Sequence, residues 1–390
     1  VTISDRRDGE RMVTAAHPLP RPTRRALAVR HLGPNWYACV MGTAIVATAG
    51  AALPVRLPGL RTACTAVCAL SLALLVALLT ARALHWAHHR DQARAHLLDP
   101  ATAPFYGCPA MALLAVGGGT VTVGRDWIGT GAAVALDAVL FTAGTVTALA
   151  AAVAVPYLMA VHHRPDPGQA SPVWLLPLVA PMVSAALGPL LVPYLPPGQA
   201  RETLLVACVA LFGLSLLATL LTLPVIFARL LTAGPLPPAL TPTLFLVLGP
   251  LGQSTTAVGN VAEGAPYGES VLVVLYGVPV MGFALLWFGL ATALVLRARR
   301  HGMRFAMTWW AFTFPVGTCV TGAETLGRHT GLAVLDWLAI GLYGVLVAAW
   351  AVVAVRTARG LLSGELLAGP RPAPVAPRPV TVRTTSGAAR

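Results

Sequence analysis

RFAMTWWAFTFPVGTCVTGAET, residues 304–325, reads as a membrane-spanning helix with a fault in its middle. Pro315 lacks a backbone donor and its ring clashes with the preceding turn, while Gly317 and Gly322 offer no side chain to fill the gap. Freed backbone groups at membrane depth are stable only where protein or a water-filled cavity satisfies them. The stretch therefore predicts a helix that lines a path. Phe312, Thr313 and Phe314 stand directly before the proline, and an aromatic ring at such a kink is a candidate plug.

Composition fixes the setting. Of 390 residues, 56% are apolar and 11% charged, with a mean hydropathy of +0.73. A water-soluble domain carries about 25% charged residues. The chain is thus an integral membrane protein, expected to be all-α. Its formal charge of +13 is carried by arginine, since the sequence has no lysine. A lysine Schiff base to retinal or pyridoxal phosphate is excluded, as is a P-loop, and no cofactor is expected. Cys39, Cys64, Cys68, Cys108, Cys208 and Cys319 all fall in hydrophobic segments at spacings that match no zinc or redox motif. They read as small buried apolar residues.

Ten apolar segments follow in order, at about 36–53, 62–84, 105–123, 129–158, 172–195, 203–231, 241–261, 270–296, 304–325 and 332–355. Alternate segments carry the same recipe of proline or glycine with small and hydroxyl side chains. Gly42 and Thr43 mark the first; Pro109, Gly118 and Thr120 the third; Pro181 and Ser184 the fifth. Pro250, Gln253 and Ser254 mark the seventh, and Thr313 and Pro315 the ninth. These are the expected pore-lining residues. The even segments are smoother, although Pro279 in the eighth weakens the alternation. The fold expected is five helical hairpins around a central pore, interrupted members inward.

Residues 1–32 form a basic tail with no apolar stretch of signal-peptide type, residues 33–357 the ten-helix domain, and residues 358–390 a disordered tail rich in proline and arginine. Arginine is unevenly divided, with 22 on the side of the two termini and five on the other. That asymmetry predicts both termini in the cytoplasm and the protein in the cell membrane. The histidines of residues 85–104 read as a solvated cationic connection with no metal site. Trp36, Tyr37, Trp309 and Trp310 read as interfacial anchors.

Asp137 lies deep in the fourth segment. An intramembrane carboxylate is by default a functional candidate. Two readings stand for it: a proton-coupling group, or a hydrogen-bonding contact to a neighbouring helix. The interrupted segments carry no mid-span acid or base on this reading, so the path should be neutral and polar. Anion preference would then come from hydroxyls, helix ends and an overall positive field.

The residues GPNWYACVMGT (33–43), FYGCPAMALLA (105–115) and WWAFTFPVGT (309–318), in this order within a ten-segment layout, resemble the tellurite-resistance/dicarboxylate transporter family. That family includes slow-type anion channels and malic acid transport proteins. The resemblance covers all but the tails. It implies a pore built from the odd-numbered helices, a phenylalanine gate in the ninth, and a homotrimer with one pore per subunit. The gate role passes to Phe314, which precedes the proline, with Phe312 as the second candidate. The expected partners are small anions and the lipid bilayer, and no nucleic acid. Two transport readings are open: a passive anion channel, or a proton-coupled carrier exporting dicarboxylate, sulfite or tellurite. Catalysis is not expected, because no paired-acid, His-Glu or Ser-His-Asp set shares one membrane depth.

Overall fold

The computed structural model describes residues 30, 32–55, 57–265, 270–364 and 366. Arg56, Glu269 and most of both tails, residues 1–29, 31, 365 and 367–390, lie outside the described residues. Among the described residues every regular element is helical. Seven of the described helices are long and apolar enough to cross a membrane. Two kinds of helix are present.

Five long, continuous helices form the outside: α2 (Leu60–His88), α5 (Thr130–Leu158), α7 (Gln199–Ala233), α9 (Ser270–Arg300) and α11 (Ala333–Leu362). Their apolar windows are only 22% to 28% buried. Leucine and valine cover the exposed faces, as at Val153, Leu217, Leu221, Leu275 and Leu286. Such a surface is stable against acyl chains and unstable in water. Pro156, Pro224 and Pro279 lie inside these helices without ending them.

The inner elements are shorter: α1 (Tyr37–Ala52), α4 (Gly107–Gly119), α6 (Leu175–Leu187), α8 (Leu248–Gly264) and α10 (Phe314–Thr330). A further short helix, α3 (Arg90–Leu98), lies between α2 and α4. Each inner helix starts with a 3₁₀ turn, at Pro34–Trp36, Ala103–Tyr106, Pro172–Trp174, Thr241–Val247 and Met307–Phe312. The first four carry proline at the first or second position, where its missing N–H has no intrahelical partner to lose. The apolar windows of Ala103–Ile128 and Pro172–Tyr194 are 89% and 83% buried. Burial therefore separates inner from outer helices more cleanly than proline does.

Contacts among the inner helices close a ring. α1 packs on α4, α4 on α6, α6 on α8, α8 on α10, and α10 returns to α1. Each inner helix also packs against the long helix that follows it, as α1 does on α2 and α10 on α11. Glycine makes the close crossings. A Cβ on Gly107 would collide with the backbone of Leu176 and Pro177, and one on Gly252 with the backbone of Thr318 and Cys319. A Cβ on Gly317 would strike Ile45, and one on Gly42 would strike Thr313.

Three expectations change. Pro315 does not break a helix from within; it stands in the first turn of α10, and the interruption is the junction at Thr313 (φ −101°, ψ −80°) between the 3₁₀ turn and the α-helix. Trp36, Tyr37, Trp309 and Trp310 are buried inside the protein, not at the lipid interface. Trp310 Nε1 donates to Thr357 Oγ1 at 3.0 Å, and Trp309 stacks under the Arg356 guanidinium at 5.0 Å. The cationic connection after the second segment is largely helical: α2 runs to His88 and α3 follows, with His85 buried and stacked on His96 at 5.5 Å. All six cysteines are free and buried.

Backbone contact at the crossings predicts a sharp stability effect. Gly252→Ala should lower stability by about 1–3 kcal/mol, the range for overpacking a filled interior. Gly213→Ala, on the open face of α7, should be neutral or slightly stabilising. Thermal unfolding of the purified protein in detergent checks both.

Candidate functional site

The space inside the ring is divided in depth. A vestibule of about 630 Å³ is lined by the last residues of the inner segments, including Thr48, Thr122, Pro193, Asn260 and Gly264. Beneath it lies a central cavity of about 140 Å³, to which all five inner segments contribute. A third, apolar space of about 20 Å³ is lined by Met41, Met111, Leu175, Leu176, Val179, Leu246 and Gly249. Vestibule residues come from toward the carboxyl ends of four inner segments, Arg328 near the end of α10 pairs with Glu263 on the vestibule wall, and the residues of the third space come from nearer the amino ends. The five inner helices therefore run in the same direction.

Phe314 is 3% exposed and lines both the central cavity and the apolar space. Its position follows from the Thr313 junction, which starts a new helix at the aromatic residue. Pro315 lines the apolar space beside it. Phe312 has a different role, packing edge-on against Phe245 at 5.0 Å and against Trp309 at 5.8 Å. It supports the 3₁₀ turn from behind.

The wall of the central cavity is two-faced. One side is apolar, with Ile45, Ala115, Val183, Leu187 and Leu190; the other is polar, with Gln253, Thr256 and Asn260 from α8 and Thr321, Glu324, Thr325 and Arg328 from α10. Asn260 Nδ2 donates to Ala186 O at 2.8 Å, and Thr256 and Thr321 share a hydrogen bond of 2.9 Å. Gln253 is buried, and its Oε1 has no hydrogen-bond partner. Rotation of that amide can present either its carbonyl or its NH₂ to the cavity.

Several expected pore-lining residues sit elsewhere in the ring. Thr43 Oγ1 donates to Cys39 O at 2.7 Å and accepts from Trp350 Nε1 at 3.1 Å, so it faces α11. Thr120 donates to Gly117 O and Ala133 O, and Ser184 accepts from Thr145 at 2.9 Å; both face α5. Ser254 and Thr313 return their hydroxyls to Leu251 O and Trp310 O. Gly42 and Gly118 are contact points for Thr313 and Leu187. Pro181 and Pro250 are buried and Pro109 half-buried, none of them on a cavity wall. Asp137 is buried on α5 with its carboxylate against Gly117, away from these cavities, and its Oδ2 has no hydrogen-bond partner.

The expectation of a neutral path is corrected by Glu324, which is 3% exposed on the cavity wall with Oε1 unpartnered. Residue 324 reads from the sequence as the end of a span. In the structure α10 continues to Thr330, so the carboxylate lies more than a turn inside the helix end. A polar run of Thr321, Glu324, Thr325 and Arg328 at spacings of three and four was the signal available for a wet helix face.

Charge at the vestibule opposes the helix ends there. The inner helices turn their carboxyl ends, partially negative, toward it. Arginines answer them: Arg201 donates to Leu195 O and Pro193 O, and Arg61 donates to Thr122 O at 2.8 Å while pairing with Asp126 at 2.6 Å. Arg125 is exposed on the same wall. On the far side of Phe314 the amino ends of the five helices supply partial positive charge.

A ring of helices around a central cavity, with arginines at its mouth, fits a multi-pass membrane protein that conducts or carries small anions. The family described as SLAC1, voltage-dependent anion channel, matches residues 31–358, and the chain belongs to that family. It is similar to an uncharacterized transporter of Methanocaldococcus jannaschii, 26% identical over 343 residues, covering 87% of this chain and 96% of the relative. It is equally similar to the sulfite efflux pump SSU1 of Arthroderma otae, 26% identical over 358 residues, covering 87% and 93%.

The vestibule arginines should act as a collecting field. Arg125→Gln removes a charge without breaking a carbonyl contact, and should reduce anion entry from that side about two- to threefold at low ionic strength. The difference should fade as salt shortens the screening length to about 8 Å or less. Initial flux into vesicles across a salt series checks this.

Proposed function

We propose that this chain forms a path for small anions through the centre of its helix ring, with Phe314 as the gate. The supporting observation is that Phe314 alone lines both the central cavity and the apolar space beyond it. An anion entering from the vestibule would exchange part of its hydration shell for the amides and hydroxyls of α8 and α10. It would then meet an apolar constriction that neither water nor charge crosses readily. Rotation of the ring opens the way to the amino ends of the five inner helices, whose partial positive charge favours an anion there.

In this reading all ten helical segments span the bilayer as five hairpins. Three of them, 34–52, 241–264 and 307–330, do so although their own composition is less apolar, because most of their residues are buried among the other helices. Both termini lie in the cytoplasm, the vestibule opens outward, and the cell membrane is the site of action. The family resemblance favours a homotrimer, and the ring of contacts closed within a single chain supports one path per subunit. The path would pass inorganic anions or oxyanions such as sulfite, and dicarboxylates such as malate or succinate. A carrier that moves the anion with a proton is the second reading, favoured by the carboxylate on the cavity wall.

Reconstituted vesicles offered chloride, nitrate, sulfite, malate and succinate test the path. Phe314→Ala should raise flux about tenfold, equivalent to removing about 1.4 kcal/mol of barrier. Phe312→Ala should lower stability without that increase. Unchanged flux in a correctly inserted Phe314→Ala protein would remove the ring from the gate.

A further inference from the structure

Among the described residues Glu324 is the single acid on the wall of the central cavity, and Arg328 the single base. Arg328 is already committed: its Nε and Nη2 both reach Glu263 Oε1 at 3.2 Å. His329 lies 3.4 Å from the same carboxylate oxygen. Among the described residues the carboxylate of Glu324 has no ion partner; it is more than nine-tenths buried, with Oε1 unbonded beside a space large enough for an ion and water. Its other neighbours do not change this. α8 turns the neutral Gln253, Thr256 and Asn260 toward the cavity, and α1 turns Thr48. α11 contributes Tyr343, whose hydroxyl donates to Val46 O at 3.2 Å, and Asp336, next to Gly327. Tyr276 of α9 packs edge-on against Phe212 at 5.5 Å.

With Glu324 ionised, the group Glu324, Arg328 and Glu263 carries a net charge of minus one at the place an anion must occupy. Two like charges in a poorly solvated cavity repel strongly. One proton on Glu324 brings the group to neutrality and converts a pure acceptor into an O–H donor that can bond an anion.

We propose that Glu324 is the proton-binding group of the anion path: the central cavity accepts an anion only when this carboxyl is protonated. The inference rests on the reading of the cavity as that path. Asp137, the acid that stands out in the sequence, is not on the cavity wall.

The test uses full-length protein in vesicles and nitrate, whose charge does not change over the range used. Flux through the unaltered protein should fall on the order of tenfold as pH is raised from acid to alkaline and one carboxyl loses its proton. Glu324→Gln should hold flux at its acid level across the range, while Glu324→Asp should keep a titration. Infrared difference spectra give a readout independent of transport: nitrate added near neutral pH should produce a protonated-carboxyl band in the unaltered protein and none in Glu324→Gln. An unaltered pH profile in inserted Glu324→Gln, a profile flattened by Asp137→Asn in its place, or a carboxyl band that persists in Glu324→Gln would overturn the inference and leave the anion path standing. Absence of flux for every anion at every pH would overturn both.

Discussion

Backbone-to-backbone approach at the inner helix crossings is the constraint on which the structure depends. Gly107 against Leu176 and Pro177, and Gly252 against Thr318 and Cys319, bring neighbouring helices closer than any side chain allows. In lipid, where apolar association between helices has little driving force, such small-residue contacts supply the packing. Two of the five contacts in the ring, α4 on α6 and α8 on α10, rest on them. Widening either would open the central cavity sideways into the outer helices.

Closure has an electrostatic consequence. All five inner helices run in the same direction, so their ends add: partial negative charge at the vestibule, partial positive charge beyond Phe314. Arg201 offsets this at the mouth by donating to Leu195 O and Pro193 O, and Arg61, paired with Asp126, donates to Thr122 O. On the proposed path a small anion would meet arginine on one side of Phe314 and helix amino ends on the other. The proposed gate, Phe314, directly follows a 3₁₀ turn held by ring contacts among Phe245, Trp309 and Phe312, none of which lines the three cavities.

Much of this was legible from composition and pattern. Low charge and long apolar runs required a membrane protein, and the uneven spread of glycine, proline and hydroxyl residues separated inner from outer helices. The candidate site was legible in part. Gln253, Phe314 and Pro315 are on cavity walls, whereas Thr43, Thr120 and Ser184 use the same kinds of side chain to bond a neighbouring outer helix. A hydroxyl in an inner helix is equally suited to either task, since each satisfies its donor. Which one it performs depends on rotation of the helix about its axis, and a helix that is apolar on every face leaves that rotation unmarked.

The amino-acid sequence by itself determined that the chain lives in a membrane, that its helices fall into a continuous set and an interrupted set, and that an aromatic residue directly precedes Pro315. These are properties of local composition and of what a backbone tolerates in lipid. Tertiary structure alone decided that Pro315 starts a helix, that Glu324 lies inside the ring, and that Asp137 lies outside the lumen. The physical reason is that depth and facing are set by contacts between segments distant in the chain. The solvation of a carboxylate follows from those contacts, not from its neighbours in sequence.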